Sequence, residues 1–243
     1  MDSIQTHAAF LKKEVDWLMS VIDTRVDISI REKKNTNQTL ATLTPPDASQ
    51  DPSLYAETIR KFKMNFEERI VLILALSADI RPGLLMTPFS EDEKENEVYA
   101  ALGGIQGADH RRLLPTIQTA LFILAGNDIA RRIALMHLFD KDHFFSKANL
   151  LCYKAFRNDE PSISNRLMVS EEYRMLLIRG KKYIPTFGFQ FPASLITTSL
   201  EWKDLVLAYK TAKEIEEVKK WIKHRSTLLR KRYYNTKLPG YRI

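Results

Sequence analysis

Residues 65–80 constrain the fold more than any other stretch. Asn65-Phe66-Glu67-Glu68 places a side-chain acceptor at an N-cap and a glutamate at N3, the reciprocal pattern of a capping box. The segment it launches, Phe66 to about Ile80, is apolar at nearly every position from Ile70 to Leu76 and ends at Arg81-Pro82-Gly83. A helix that is apolar all round has no solvent face, so the rest of the chain has to wrap it. The sequence therefore predicts a core built around this helix.

The other elements arrange themselves around that centre. Leu11, Val15, Leu18, Met19 and Ile22 recur at helical spacing within residues 4–23, and Val26–Ile30 reads as a short extension or a strand. Residues 33–53 are poor in large apolar groups and contain Pro45-Pro46, the composition of a flexible linker or exposed loop. Leu54–Lys63 reads as a helix, and Ser90–Asn96 as a solvated turn or short helix. After Gly103, Gly104 and Gly107, Pro115 opens a helix over 116–125. Gly126-Asn127 turns the chain, and Asp128 caps a second helix to about Phe139. Leu150–Phe156 and Arg166–Val169 read as strands joined by a polar turn at 157–165. Helix, turn, helix and β-hairpin is the order of a winged-helix unit. Ser170 caps a further helix closed by Gly180. The aromatic stretch 183–191 is irregular, Leu195–Thr198 is strand-like, and a Lys/Arg-rich helix runs from about Lys210 to Tyr234. The expected class is α+β and mainly helical: a winged-helix-like module with additional helices and a long C-terminal helix. The expected organisation is an N-terminal helix over 1–32, a linker over 33–53, a domain over 54–209 and a basic connector over 210–243.

Composition bounds the setting. The 243 residues are 44% hydrophobic and 28% charged, the balance of an ordinary globular protein. No apolar run approaches the roughly 18 residues of a membrane span. Cys152 is the single cysteine, and the opening Met-Asp-Ser-Ile-Gln has neither the basic nor the apolar region of a secretory signal. The expectation is a soluble, cytoplasmic protein with no membrane partner. The net charge of +7 is uneven: from Arg179 onward there are 15 Lys/Arg against 5 Asp/Glu, while residues 1–178 carry 22 against 25. A basic last quarter suits a nucleic acid, an acidic surface or a solvated helix face.

Sites for chemistry are sparse. A phosphate-binding loop needs Gly-x-x-x-x-Gly-Lys-Ser/Thr, and Gly180-Lys181-Lys182 supplies only the Gly-Lys pair. Gly103-Gly104-Ile105-Gln106-Gly107 has the wrong spacing for a dinucleotide fingerprint. His137, Asp140, Asp142 and His143 could ligate zinc or simply cap a helix end. Cys152 lies within an apolar strand, where a small buried side chain is the ordinary role. No catalytic, cofactor-binding or metal residues are expected in this chain. In the helix 128–139, Arg131 and Arg132 are the basic residues that could reach a nucleic acid, and the remainder is too apolar to read base edges.

Several stretches, taken together, resemble a known family. Phe66-Glu-Glu-Arg-Ile-Val-Leu-Ile-Leu-Ala-Leu76, Leu102-Gly-Gly104, His110-Arg-Arg-Leu-Leu-Pro-Thr116, Thr119-Ala-Leu-Phe-Ile-Leu-Ala-Gly126, Phe191-Pro-Ala193, Ile196-Thr-Thr198, Trp202-Lys-Asp-Leu-Val-Leu207 and Pro239-Gly-Tyr-Arg242 occur in this order. The set is similar to the N-terminal region of a bacterial, Bacteroidetes-type AAA+ ATPase family that accompanies contractile, phage-tail-like injection systems. The similarity spans about residues 54–243, and residues 1–53 match nothing in it. The family more often carries Arg-Gly-Phe where Arg111-Arg112-Leu113 stands, and Gly-Glu where Ile117-Gln118 stands. The resemblance implies a non-catalytic region that recognises a protein substrate or partner and precedes an ATPase domain holding ATP and Mg²⁺. It also implies a ring-shaped homo-oligomeric parent. Partner-facing candidates are His110, Arg111, Arg112, Arg131, Arg132, Tyr183 and Phe187. The alternative is a stand-alone winged-helix protein that binds nucleic acid.

Overall fold

A computed structural model describes residues 2–30, 40, 42–85, 93–106, 113–155, 160–181, 183, 198–199, 201, 204 and 206–230. The chain divides into two compact units, 1–184 and 185–243. Among the described residues the fold is mainly helical, with two small antiparallel sheets.

In the first unit, α1 (Asp2–Ile30), α2 (Leu54–Phe62), α3 (Phe66–Ile80) and α4 (Glu93–Leu102) precede a short hairpin of β1 (Ile105–Gln106) and β2 (Leu113–Leu114). Then come α5 (Ile117–Ala125), α6 (Ile129–Leu135), a 3₁₀ turn over Met136–Phe139, and α7 (Phe144–Lys147). The hairpin of β3 (Leu151–Lys154) and β4 (Arg166–Val169) leads to α8 (Glu171–Arg179). In the second unit the described element is α9 (Tyr209–Arg230).

The centre is where the sequence places it. Asn65 and Glu68 form the capping box at the start of α3, and Arg69 through Ser77 are all buried. Helices α1 and α5 make the largest further contributions to the core, joined by residues of α2, the β3–β4 hairpin and α8. On α1, Phe10, Leu11, Val15, Leu18, Val21, Ile22 and Val26 are buried. The apolar stripe therefore continues past Asp23, and α1 stays helical to Ile30 in place of the strand considered for 26–30. This stripe belongs to the same core as α3, and residues 2–30 fall within the first compact unit.

Residues 42–53 also depart from expectation. They have little apolar mass, yet their backbone carbonyls are held by side chains from elsewhere. The Trp17 indole donates to Leu43 O at 3.0 Å, Arg69 to Pro46 O at 2.7 Å, and Arg60 to Ala48 O and, at 2.8 Å, to Asp51 O. The segment is thus fastened to α1, α2 and α3 through hydrogen bonds that composition does not advertise. Arg69 is buried in an ion pair with Glu14 of α1 and lies 5.5 Å from the Trp17 ring centroid. Burial pushes the Glu14 carboxyl up, against the pull of the Arg69 guanidinium.

The β3–β4 register pairs Leu151 with Val169 and Lys154 with Arg166. The hairpin is joined to the start of α5: Ile117 N–H donates to Asn165 O at 3.2 Å, and Leu167 N–H to Pro115 O at 2.9 Å. Thr116 and Thr119 cap α5 reciprocally, both buried. The small β1–β2 hairpin was not anticipated, since strands of two residues leave no periodicity to see. The first compact unit closes at residue 184, short of the boundary expected at 209, and α9 begins at Tyr209. The strand expected over 195–198 falls largely outside the described residues.

Candidate functional site

The site is built on the turn between α5 and α6. Helix α5 buries Ile117 and every residue from Thr119 to Ala125, so its last carbonyls lie in the core and need donors from the protein. Arg25 of α1 supplies the donors. Its Nε donates to Ile123 O at 2.8 Å and Nη2 to Leu124 O at 2.9 Å. Arg25 is itself fully buried, and desolvation pulls its guanidinium down to about 10. A cation on the carbonyl end of a helix also opposes the negative pole of the helix dipole.

Gly126 closes α5 at φ +58°, ψ −125°, and a Cβ there would lie 3.0 Å from Arg25 Nη1. Only glycine combines that backbone angle with so close a guanidinium. Asp128 then caps α6 by accepting from Arg131 N–H at 3.0 Å.

Helix α6 and the 3₁₀ turn carry two apolar stripes. Leu135 and Leu138 point into the core. Ile129, Ile133 and Met136, at i, i+4 and i+7, point out and are 72%, 63% and 43% exposed. Apart from Tyr183, no other large hydrophobic side chain of residues 1–184 is exposed among the described residues. Isolated exposed apolar residues are ordinary, whereas a row of them along one helix face marks a contact surface.

The two arginines that flank this face both have partners within the fold, Arg131 while still 40% exposed. Arg131 pairs with Glu67 in the first turn of α3. Arg132 donates to Gly126 O at 3.0 Å and to the Gln118 side chain, and burial lowers its guanidinium from the usual value. Both guanidinia therefore fix α6 to its neighbours. Glu67 and Gln118, their partners, lie too far away in sequence to have been named beforehand.

Of the other partner-facing candidates, Tyr183 is 39% exposed and lines a groove between α2 and α8. His110, Arg111, Arg112 and Phe187 lie outside the described residues. The described ends of two segments singled out in the sequence, 102–112 and 157–165, meet in a polar cleft of about 340 Å³. Gly104, Gln106, Thr116, Gln118, Glu160 and Ser164 line it. Two of these groups are already satisfied internally: Thr116 by its capping box and Gln118 by Arg132 and the Ala101 carbonyl.

The possible zinc cluster resolves into helix-end contacts. His137 Nδ1 lies 2.6 Å from Ala134 O. His143 Nδ1 accepts from Phe145 N–H at 3.3 Å, while Nε2 lies 3.1 Å from Glu68 Oε1. Burial lowers the His143 pKa below its ordinary 6.5, with Glu68 pulling the other way. No group of three His, Cys, Asp or Glu side chains is placed to hold a metal ion among the described residues. Cys152 is half-buried on β3, and burial pushes its thiol up, away from the thiolate a nucleophile requires.

The sequence did show that 129–139 is apolar; it did not show that half of this apolar surface stays outside. The available signal was the surplus itself, because one core-facing stripe needs only Leu135 and Leu138. No protein-family model, curated protein or solved structure matches the chain. No helix among the described residues is long and apolar enough to cross a membrane.

Proposed function

We propose that this chain is a non-catalytic region that recognises a protein partner, and that the outward face of α6 is its docking surface. The observation that carries the proposal is the row Ile129, Ile133 and Met136, left open on a helix whose flanking arginines already have partners inside the fold. A helix offering isoleucine and methionine suits the apolar face of another protein element. It lacks the free polar side chains that read base edges.

We read α5, the turn, α6 and the β3–β4 hairpin, with the 3₁₀ turn and α7 between α6 and β3, as a winged-helix-like module in which α6 takes the place of the recognition helix and is turned to protein contact. In the setting implied by the family-like blocks, the partner is a protein complex remodelled by a AAA+ ATPase, such as a component of a contractile injection system. ATP and Mg²⁺ then belong to a following ATPase domain, and the parent assembles as a ring.

The test begins with affinity capture and identification of partners, followed by titration of the purified partner. An Ile129→Asp/Ile133→Asp variant with an unchanged melting temperature should bind at least ten-fold more weakly. Undiminished binding by that variant would remove α6 as the docking surface. ATP turnover by the purified 243-residue chain would overturn the non-catalytic assignment. Salt-sensitive binding to random duplex DNA, undisturbed by the double variant, would favour a winged-helix nucleic-acid protein instead.

A further inference from the structure

A second groove, distinct from the α6 face, lies between α2 and α8. It has a volume of about 360 Å³ and is lined by Leu54, Glu57, Lys61, Glu172, Tyr173 and Tyr183, with Thr58 and Leu176 completing it. That is the lower end of the range for sites that enclose small ligands, room for one long side chain.

The lining has a definite chemistry. Leu54, Leu176 and two tyrosines provide apolar and aromatic surface. Glu57 stands in the first turn of α2 and Glu172 in the first turn of α8. Neither carboxylate forms an ion pair or hydrogen bond among the described residues. Among the described residues Lys61 is the one cation in the lining, and its ammonium lies over the Phe62 ring, 5.2 Å from the centroid. Thr58 is satisfied by its own helix, donating to Leu54 O at 2.7 Å. On a chain of net charge +7, this groove therefore carries an excess of negative charge beside aromatic faces.

We propose that the groove binds an arginine side chain presented by a protein partner. The aliphatic stem would lie on Leu54, Leu176 and the tyrosine rings, as long cationic side chains do on apolar surface. The guanidinium would meet Glu57 or Glu172 through its planar fork and a tyrosine face through its positive charge. An anionic occupant would face two unpaired carboxylates, and a neutral one would leave both unused. The proposal is independent of the α6 face and stands or falls separately.

Titration of the full 243-residue protein with N-acetyl-arginine amide, followed by amide NMR shifts, tests it. Saturable shifts are expected at residues 57, 173 and 176. N-acetyl-citrulline amide has the same shape without the charge and should bind at least ten-fold more weakly. Glu57→Gln/Glu172→Gln should lose at least ten-fold in affinity. Lys61→Glu should gain several-fold, a direction that misfolding could not produce. Ile133→Ser should leave the affinity unchanged, so failure of α6 docking and failure of this groove are separable. Equal binding of citrulline and arginine, or undiminished binding by the double glutamine variant, would overturn the proposal. So would tighter binding of spermidine than of an arginine-containing peptide, which would make the ligand a free polyamine.

Discussion

Helices α5 and α6 are neighbours in sequence, separated by Gly126-Asn127-Asp128, and both are rich in apolar residues. Nearly all of α5 is buried, whereas α6 buries only Leu135. The difference does not lie in hydrophobicity. It lies in what the surrounding fold provides for the polar backbone ends. Helix α5 can be enclosed because Thr116 and Thr119 satisfy its first turn and Arg25 reaches its last carbonyls. Helix α6 is fastened at its sides by Arg131 and Arg132, which leaves an apolar row that the core does not use. Apolar residues that folding does not require are available for binding, and this contrast is the ground for proposing α6 as a docking face.

The contrast predicts unequal responses to mutation. The largest should come from Phe122→Ala in α5, because Phe122 is almost fully buried and its removal combines lost transfer free energy with a cavity. A loss of about 3–5 kcal/mol is expected, measured by denaturant unfolding. Arg25→Met should follow. It keeps much of the side-chain volume but leaves the carbonyls of Ile123 and Leu124 without their donors, at about 1–3 kcal/mol for a buried group left unsatisfied. Methionine also removes the cost of burying a guanidinium, so the net loss should be smaller than that for Phe122→Ala. A stable Arg25→Met protein would mean that the Ile123 and Leu124 carbonyls do not depend on Arg25, and the distinction between the two helices would weaken.

How much of this was legible follows from the range of the signals involved. The Asn65–Glu68 capping box, the α3 core helix, the β3–β4 pair and the stop at Gly180 rest on neighbouring residues, and the sequence displays them. Residues 42–53 looked like a linker because their anchors are Trp17, Arg60 and Arg69, whose side chains arrive from other helices. The N-terminal helix was legible, but the strand alternative at 26–30 stayed open for a related reason. Val26 looks marginal locally and becomes a core residue only once α1 is packed in the shared core. At the candidate site, Arg131 and Arg132 were identifiable as residues of α6, but their partners Glu67 and Gln118 were not. Which of two apolar stripes faces outward is set by neighbouring helices, and no periodicity within seven residues decides it.

A smaller effect should come from His143, which fastens the segment after α6 to the start of α3. Its Nδ1 accepts from Phe145 N–H, so the neutral ring with its proton on Nε2 satisfies both that bond and Glu68 Oε1. Burial lowers the folded pKa, and the protonated form is therefore favoured in the unfolded chain. Its contribution to stability should be complete above pH 6.5 and decline as pH falls from there toward the lower folded pKa. Melting temperatures from pH 7.5 to pH 5 should show this decline, and His143→Asn, which retains a cap acceptor without titrating there, should flatten it. An equal decline in the variant would assign the pH response to other groups.

The smallest stability effect should come from the residue with the largest proposed functional effect. Ile133 is 63% exposed, and its side chain makes little use of the core that holds Leu135 and Leu138. Replacing it with serine should change unfolding free energy by no more than about 0.5 kcal/mol, the usual range for surface positions. Any loss of helix propensity is offset in part by removing apolar area from water. The same substitution should weaken partner binding several-fold by taking one residue out of a three-residue apolar row. A Phe122→Ala variant should show the reverse profile, with stability reduced and the α6 surface chemically intact. If Ile133→Ser instead destabilises the chain by more than 1.5 kcal/mol, the outward stripe is part of the core in solution. If stability and binding both stay unchanged, the row is exposed without being used. Only unchanged stability together with weakened binding distinguishes a docking face from a misplaced core residue.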